Sequence, residues 1–118
     1  MKKLDSNEIP WSLGDSGVKY IVQGPDVEWG VLKMKPGQSS KNYGLHIHHV
    51  VVESFYIIEG TPKIVVEGVE HRLKPGMTLT VEPHDHHNVV NDTEQDMVAL
   101  FIKSPYMPED RHLVEERP

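Results

Sequence analysis

His46-Ile47-His48-His49-Val50-Val51-Val52-Glu53 is the stretch that decides how the chain folds. Three successive β-branched valines favour strand over helix. On a strand, residues i and i+2 point to one face about 6.6 Å apart, so His46 and His48 present their imidazoles together. On a helix the same pair would diverge. Two imidazoles at that spacing can converge on one metal ion at about 2.0–2.1 Å per bond. Glu53, four intervening residues beyond His48, opens the next apolar run. A carboxylate there completes a three-ligand set and leaves positions for water or substrate.

Outward from this stretch the chain reads as a series of short strands. Nine prolines and nine glycines divide it, and between them lie β-branched and aromatic runs at 18–22, 27–35, 45–49, 53–59, 62–67, 69–73, 77–82, 87–91 and 97–103. Pro25-Asp26, Pro36-Gly37, Glu59-Gly60, Glu67-Gly68, Pro75-Gly76 and Asn91-Asp92 are turn pairs. Segments this short with regular turn signals predict an all-β sandwich or barrel. Phe55 and Ile57 share the face of Glu53 by alternation. The run 97–102 is apolar at every position, which predicts a strand covered on both faces and hence a homodimer. The tail, 105–118, changes character: Pro108 ahead of a polar stretch predicts a short helix.

With 118 residues the chain is expected to form one domain over 1–118. Twelve Lys and Arg against eighteen Asp and Glu give a formal charge of −6, which argues against a nucleic-acid grip. No apolar run approaches the roughly 18–20 residues of a membrane span. Two lysines near the start are followed by no apolar stretch, so the N-terminus does not read as a signal peptide. Absence of cysteine excludes disulfides, thiolate metal sites and cysteine nucleophiles. A cytoplasmic protein is the default expectation.

Eight histidines are many for this length, and six fall in two groups: His46, His48 and His49, then His84, His86 and His87. A further metal ligand is expected from the second group, whose strand returns beside the first across two predicted hairpins. Adjacent strand residues face oppositely, so only one of His86 and His87 points inward, and period-two alternation does not choose between them.

The segment His46-x-His48, four residues, Glu53, six residues, Gly60 resembles the first motif of the cupin superfamily. The segment from Pro75-Gly76 through Pro83, three residues, His87, three residues, Asn91 resembles the second. The two motifs lie within 43–91. The resemblance implies a small antiparallel jelly-roll barrel holding a metal in its mouth on His46, His48, Glu53 and His87, and its register selects His87 over His86. Ser40 stands where the family's first motif opens with glycine, Glu82 replaces a frequent proline, and His84 replaces the usual glycine.

A set of three histidines and one glutamate suits one divalent transition metal, Mn, Fe, Ni, Co or Zn. An octahedral ion on four protein ligands keeps two adjacent positions for a bidentate small molecule. The leading expectation is a metal-dependent enzyme acting on a small oxygen-rich metabolite, as a sugar or sugar-acid isomerase or lyase, or a decarboxylase. An Fe-dependent dioxygenase and a non-catalytic small-ligand binding module are the alternatives. Tyr43, His84 and His86 are the candidate catalytic residues, and Tyr43, Phe55 and Phe101 the candidate pocket lining. His49, His71 and His112 are expected at the surface. Trp11 and Trp29 are expected to seal a barrel end or a dimer interface.

Overall fold

Along β2 (Glu28–Met34) every second residue is buried: Glu28, Gly30, Leu32 and Met34 point in, while Trp29, Val31 and Lys33 are half-buried. The same two-residue period runs through β4 (Val52–Glu59), with Glu53, Phe55 and Ile57 inward, and β9 (Met97–Ser104), with Met97, Ala99 and Phe101 inward. Such alternation is the mark of strands with one face on a core. The computed structural model describes residues 1–43 and 46–114, and of 42, 43, 46 and 113 the backbone alone.

Among the described residues ten strands, all paired antiparallel, make up the architecture. β1 (Gly17–Gln23), β2, β9, β4 and β7 (Thr78–Val81) form a five-stranded sheet in that order. Facing it, β6 (Val69–Arg72), β5 (Lys63–Val66) and β8 (His87–Val90) form a three-stranded sheet, and β3 (His46–Ile47) pairs with β10 (His112–Leu113). Apolar residues of both larger sheets, among them Met34, Phe55, Ile57, Ile64, Val89 and Met97, meet in one core. This is the small all-β jelly-roll barrel expected. Among the described residues no helix is long and apolar enough to cross a membrane.

Two features differ from the sequence reading. The tail is not helical in its described part: Asp110 N–H donates to the carbonyl of Met107 in a turn, and β10 follows. The Asp110 carboxylate explains this, because it accepts the amides of His49, Val50 and Val51 and ties the tail to the barrel. The strand expected over 45–49 extends only across His46–Ile47, since those same three amides go to Asp110 and not to a ladder. On β9 the outer residues Val98 and Leu100 are half-buried and Ile102 is 37% exposed, so the chain covers one face of this strand fully and the other only in part. Residues 115–118 of the expected helix lie outside the described residues.

Candidate metal centre

His48, Glu53 and His87 come from three separate places in the chain, and alternation together with a tight loop aims them at one point. Glu53 is the second residue of β4 and faces inward beside Phe55. His87 opens β8. His48 follows β3 at the start of the loop that Asp110 fastens. The Nε2 atoms of His48 and His87 each lie 3.4 Å from Glu53 Oε1, and one donor atom from each residue falls within 4.8 Å of the others. His48 and Glu53 are buried, at 4% and 6% exposure.

Both imidazoles are oriented through the opposite nitrogen. His48 Nδ1 lies 2.6 Å from the carbonyl oxygen of Asp110, and His87 Nδ1 lies 3.2 Å from that of Asp85. A carbonyl can only accept, so each Nδ1 carries a proton, and the neutral form of each ring holds its lone pair on Nε2, the atom nearest Glu53. This is the tautomer a metal ligand needs. Burial alone would push the Glu53 carboxyl up, but His48, His87 and Lys103 hold it well below the usual carboxylate range. Burial opposes the charged form of His87 too, yet the Glu53 carboxylate raises it above its ordinary value. Nitrogen and oxygen donors converging in a buried, ionised cluster fit a divalent transition metal.

The side chains of His46 and Tyr43 lie outside the described residues. The backbone sets His46 opposite Leu113 in the β3–β10 pair. His86 turns the other way from His87, with Nδ1 3.2 Å from Glu67 Oε1. His84 stacks on His49, ring centroids 4.9 Å apart, and neither His84 nor His86 lines the two cavities beside the cluster. The structure therefore does not bring these two candidate catalytic residues to the centre. His84 has φ +70°, left-handed backbone at a position where the resemblance expects glycine. Phe55 and Phe101 both line the larger cavity, of about 360 Å³. His71 is exposed, whereas His112 stacks on His49 at 3.6 Å and reaches Asp110 Oδ1 at 3.0 Å.

Three charged or anchoring residues escaped the sequence reading. Lys103 continues the inward series Met97, Ala99, Phe101, and Glu28 opens the inward series of β2, so extending the alternation to each strand end would have found both. Lys103 pairs in register with Glu28 on one side and Glu53 on the other, and its Nζ is 3.6 Å from Glu28 Oε1. Asp110 had no local signal, because its three amide partners lie about sixty residues earlier.

Fold and site together define a small antiparallel β-barrel protein whose interior carries a histidine–carboxylate cluster able to hold a metal ion. The chain belongs to the cupin family: the cupin domain model matches residues 30–103. It is similar over 98% of its length to a double-stranded β-helix domain protein of Klebsiella pneumoniae, which it covers to 99% with a TM-score of 0.79 at 19% identity. It is also similar to KdgF from Halomonas sp., at 25% identity and TM-score 0.67 over 78% of this chain and 80% of that one. Over 56 residues it is 38% identical to L-ectoine synthase of Mycolicibacterium gilvum, a match that spans 46% of this chain and 42% of that relative.

Proposed function

We propose that the chain is a metal-dependent cupin enzyme in which His46, His48, Glu53 and His87 hold one divalent transition metal, and that it isomerises, eliminates from or decarboxylates a small sugar-like or sugar-acid metabolite. The observation that carries the reading is the pair of Nε2 atoms, both 3.4 Å from one Glu53 oxygen and both aimed by a backbone carbonyl behind the ring. When bound, a divalent ion there supplies Lewis-acid polarisation of a carbonyl or hydroxyl oxygen. Phe55, Phe101, Leu32 and Val89 give the larger cavity an apolar side. Lys103, inward between Glu28 and Glu53, offsets the charge of the two carboxylates. The match to a relative named as a synthase supports an enzymatic reading.

We further infer a homodimer through the outer face of the five-stranded sheet. Trp29 lies opposite Ile102, Val31 opposite Leu100, and Tyr56 opposite Leu100 from the other side. These side chains make a continuous outward apolar strip of the kind that marks association surfaces.

Elemental analysis of untagged protein purified without a nickel column tests the centre. Near one transition metal per chain is the expected result, and absence of metal after reconstitution would overturn it. Turnover of uronates and aldoses by the loaded protein, with no oxygen uptake, is expected of the reaction class. Oxygen uptake in place of isomerisation would point to a dioxygenase.

A further inference from the structure

Two cavities flank the cluster. One, of about 220 Å³, reaches His48, Gln23 and Glu28, and the other reaches Glu53 and His87. Tyr20, Lys103 and Arg111 line both. These three side chains are common to both linings, and a ligand passing from one cavity to the other would run beside them.

The charges in this passage are unbalanced once an ion is bound. Glu28, Lys103 and Glu53 stand in a row across β2, β9 and β4, and Arg111 adds a second cation at the rim. Glu28 and Glu53 are the carboxylates among the residues lining the two cavities, so a bound divalent ion would add positive charge to a passage that already carries Lys103 and Arg111. The Lys103 ammonium is held in place, 13% exposed, with the rings of Phe101 and Tyr20 5.5 and 5.9 Å away. Its 3.6 Å approach to Glu28 is longer than a hydrogen bond, so the ammonium keeps donor capacity for a third group. A guanidinium and an ammonium facing one passage make a ready receptor for a carboxylate or phosphate, through charge-assisted bonds in a low-dielectric site.

We propose that Lys103 and Arg111 form an anion subsite beside the metal centre. The substrate is then a metabolite that chelates the ion through two neighbouring oxygens and carries an oxyanion group a few bonds away. This rests on the metal reading above and narrows it from oxygen-rich metabolites in general to anionic ones.

Three chelators with the same metal-binding head test the proposal on metal-loaded protein. Acetohydroxamate has no remote charge, succinyl monohydroxamate has a remote carboxylate, and phosphonoacetohydroxamate a remote phosphonate. Calorimetric titration is expected to show one charged member binding at least about tenfold tighter than acetohydroxamate, the increment of a charge-assisted hydrogen bond. Which of the two is tighter distinguishes a carboxylate substrate from a phosphate one. In Arg111→Met the preference is expected to fall toward unity. Because Arg111 is exposed, that variant stays folded even if Lys103→Met disturbs the row of interior charges. Equal affinities for all three, or a preference that survives in both variants, overturn the subsite and leave the metal centre standing. Failure of all three to bind a protein shown to hold one metal per chain overturns both readings.

Discussion

The backbone carbonyl of Asp110 accepts from His48 Nδ1 at 2.6 Å, while the carboxylate of the same residue accepts the amides of His49, Val50 and Val51 at 2.9–3.0 Å. One residue of the C-terminal tail therefore fastens the loop that carries a candidate metal ligand and sets the tautomer of that ligand. Burial would raise the Asp110 carboxyl, but the amides of Val51, His49 and Val50 and the His112 ring hold it well below the usual carboxylate range.

Asp110→Ala is expected to loosen both. The amides of exposed His49 and Val50 can turn to water, but Val51 is 2% exposed and its N–H would be stranded. A stranded buried donor costs about 1–3 kcal/mol, which thermal denaturation would register as a lower Tm. Removing an outer-shell support of a ligand typically costs about 10–100-fold in metal affinity. Competition against a chromophoric chelator measures that loss, and affinity equal to wild type would show that the tail does not position His48.

The two adjacent histidines of the second group should behave oppositely. His87 is aimed at Glu53 and His86 at Glu67 on the outside. His87→Ala is expected to abolish stoichiometric metal, while His86→Ala retains it. Loss of metal in both, by elemental analysis, would contradict the division of inward and outward faces.

That division illustrates what could be read in advance. The strands, their turns and the inward series Glu53, Phe55, Ile57 follow from two-residue alternation, a local signal. Whether His86 or His87 points inward depends on where β8 starts against Val66 of β5, which is a matter of register between strands. The fastening by Asp110 and the Glu28–Lys103–Glu53 row are farther out of reach, since each joins segments distant in sequence. The tail departs from its local signals for the same reason: helix signals at Pro108 are local, and three amides about sixty residues away outweigh them.

Protons and metal should compete for the centre. Glu53 titrates below its ordinary value of 4.5 and His87 above its ordinary value of 6.5 in the metal-free protein. The Glu53 contribution to stability is present above 4.5 and is lost as pH falls through its depressed value. The His87 contribution is present below 6.5 and is lost as pH rises through its raised value. Metal-free protein is accordingly most stabilised by this pair between about 4.5 and 6.5. A bound ion requires neutral His87, so metal affinity should increase as pH rises past that point. Tm measured from pH 5 to 9 is expected to decline on the alkaline side without metal and to hold with it. Parallel curves would show that His87 exchanges no proton for metal.

Packing against the barrel wall gives a prediction independent of any ion. A Cβ on Gly30 would sit 2.1 Å from the Lys19 carbonyl oxygen and 2.6 Å from Phe101 Cζ. The first neighbour is backbone of the adjacent strand and cannot swing aside, and the second is a core ring that borders the larger cavity. Overpacking of this kind costs about 1–3 kcal/mol. Gly30→Ala should lower the denaturation midpoint accordingly, and an unchanged midpoint would mean that β1 can move away from β2 freely.

The outer sheet face supplies the last test. Tyr56 and Ile102 are 40% and 37% exposed on neighbouring strands, and Trp29 on β2 lies opposite Ile102. In the proposed homodimer, a carboxylate placed in the middle of this contact would be buried without a counter-ion, at a cost of several kcal/mol. Ile102→Glu is therefore expected to convert a dimer to monomer in sedimentation velocity at micromolar concentration. Its metal content should stay near one per chain, because Ile102 points away from Lys103 and the cluster. A monomeric wild type would refute the interface outright, and a variant that remains dimeric would move the contact to another face of the barrel.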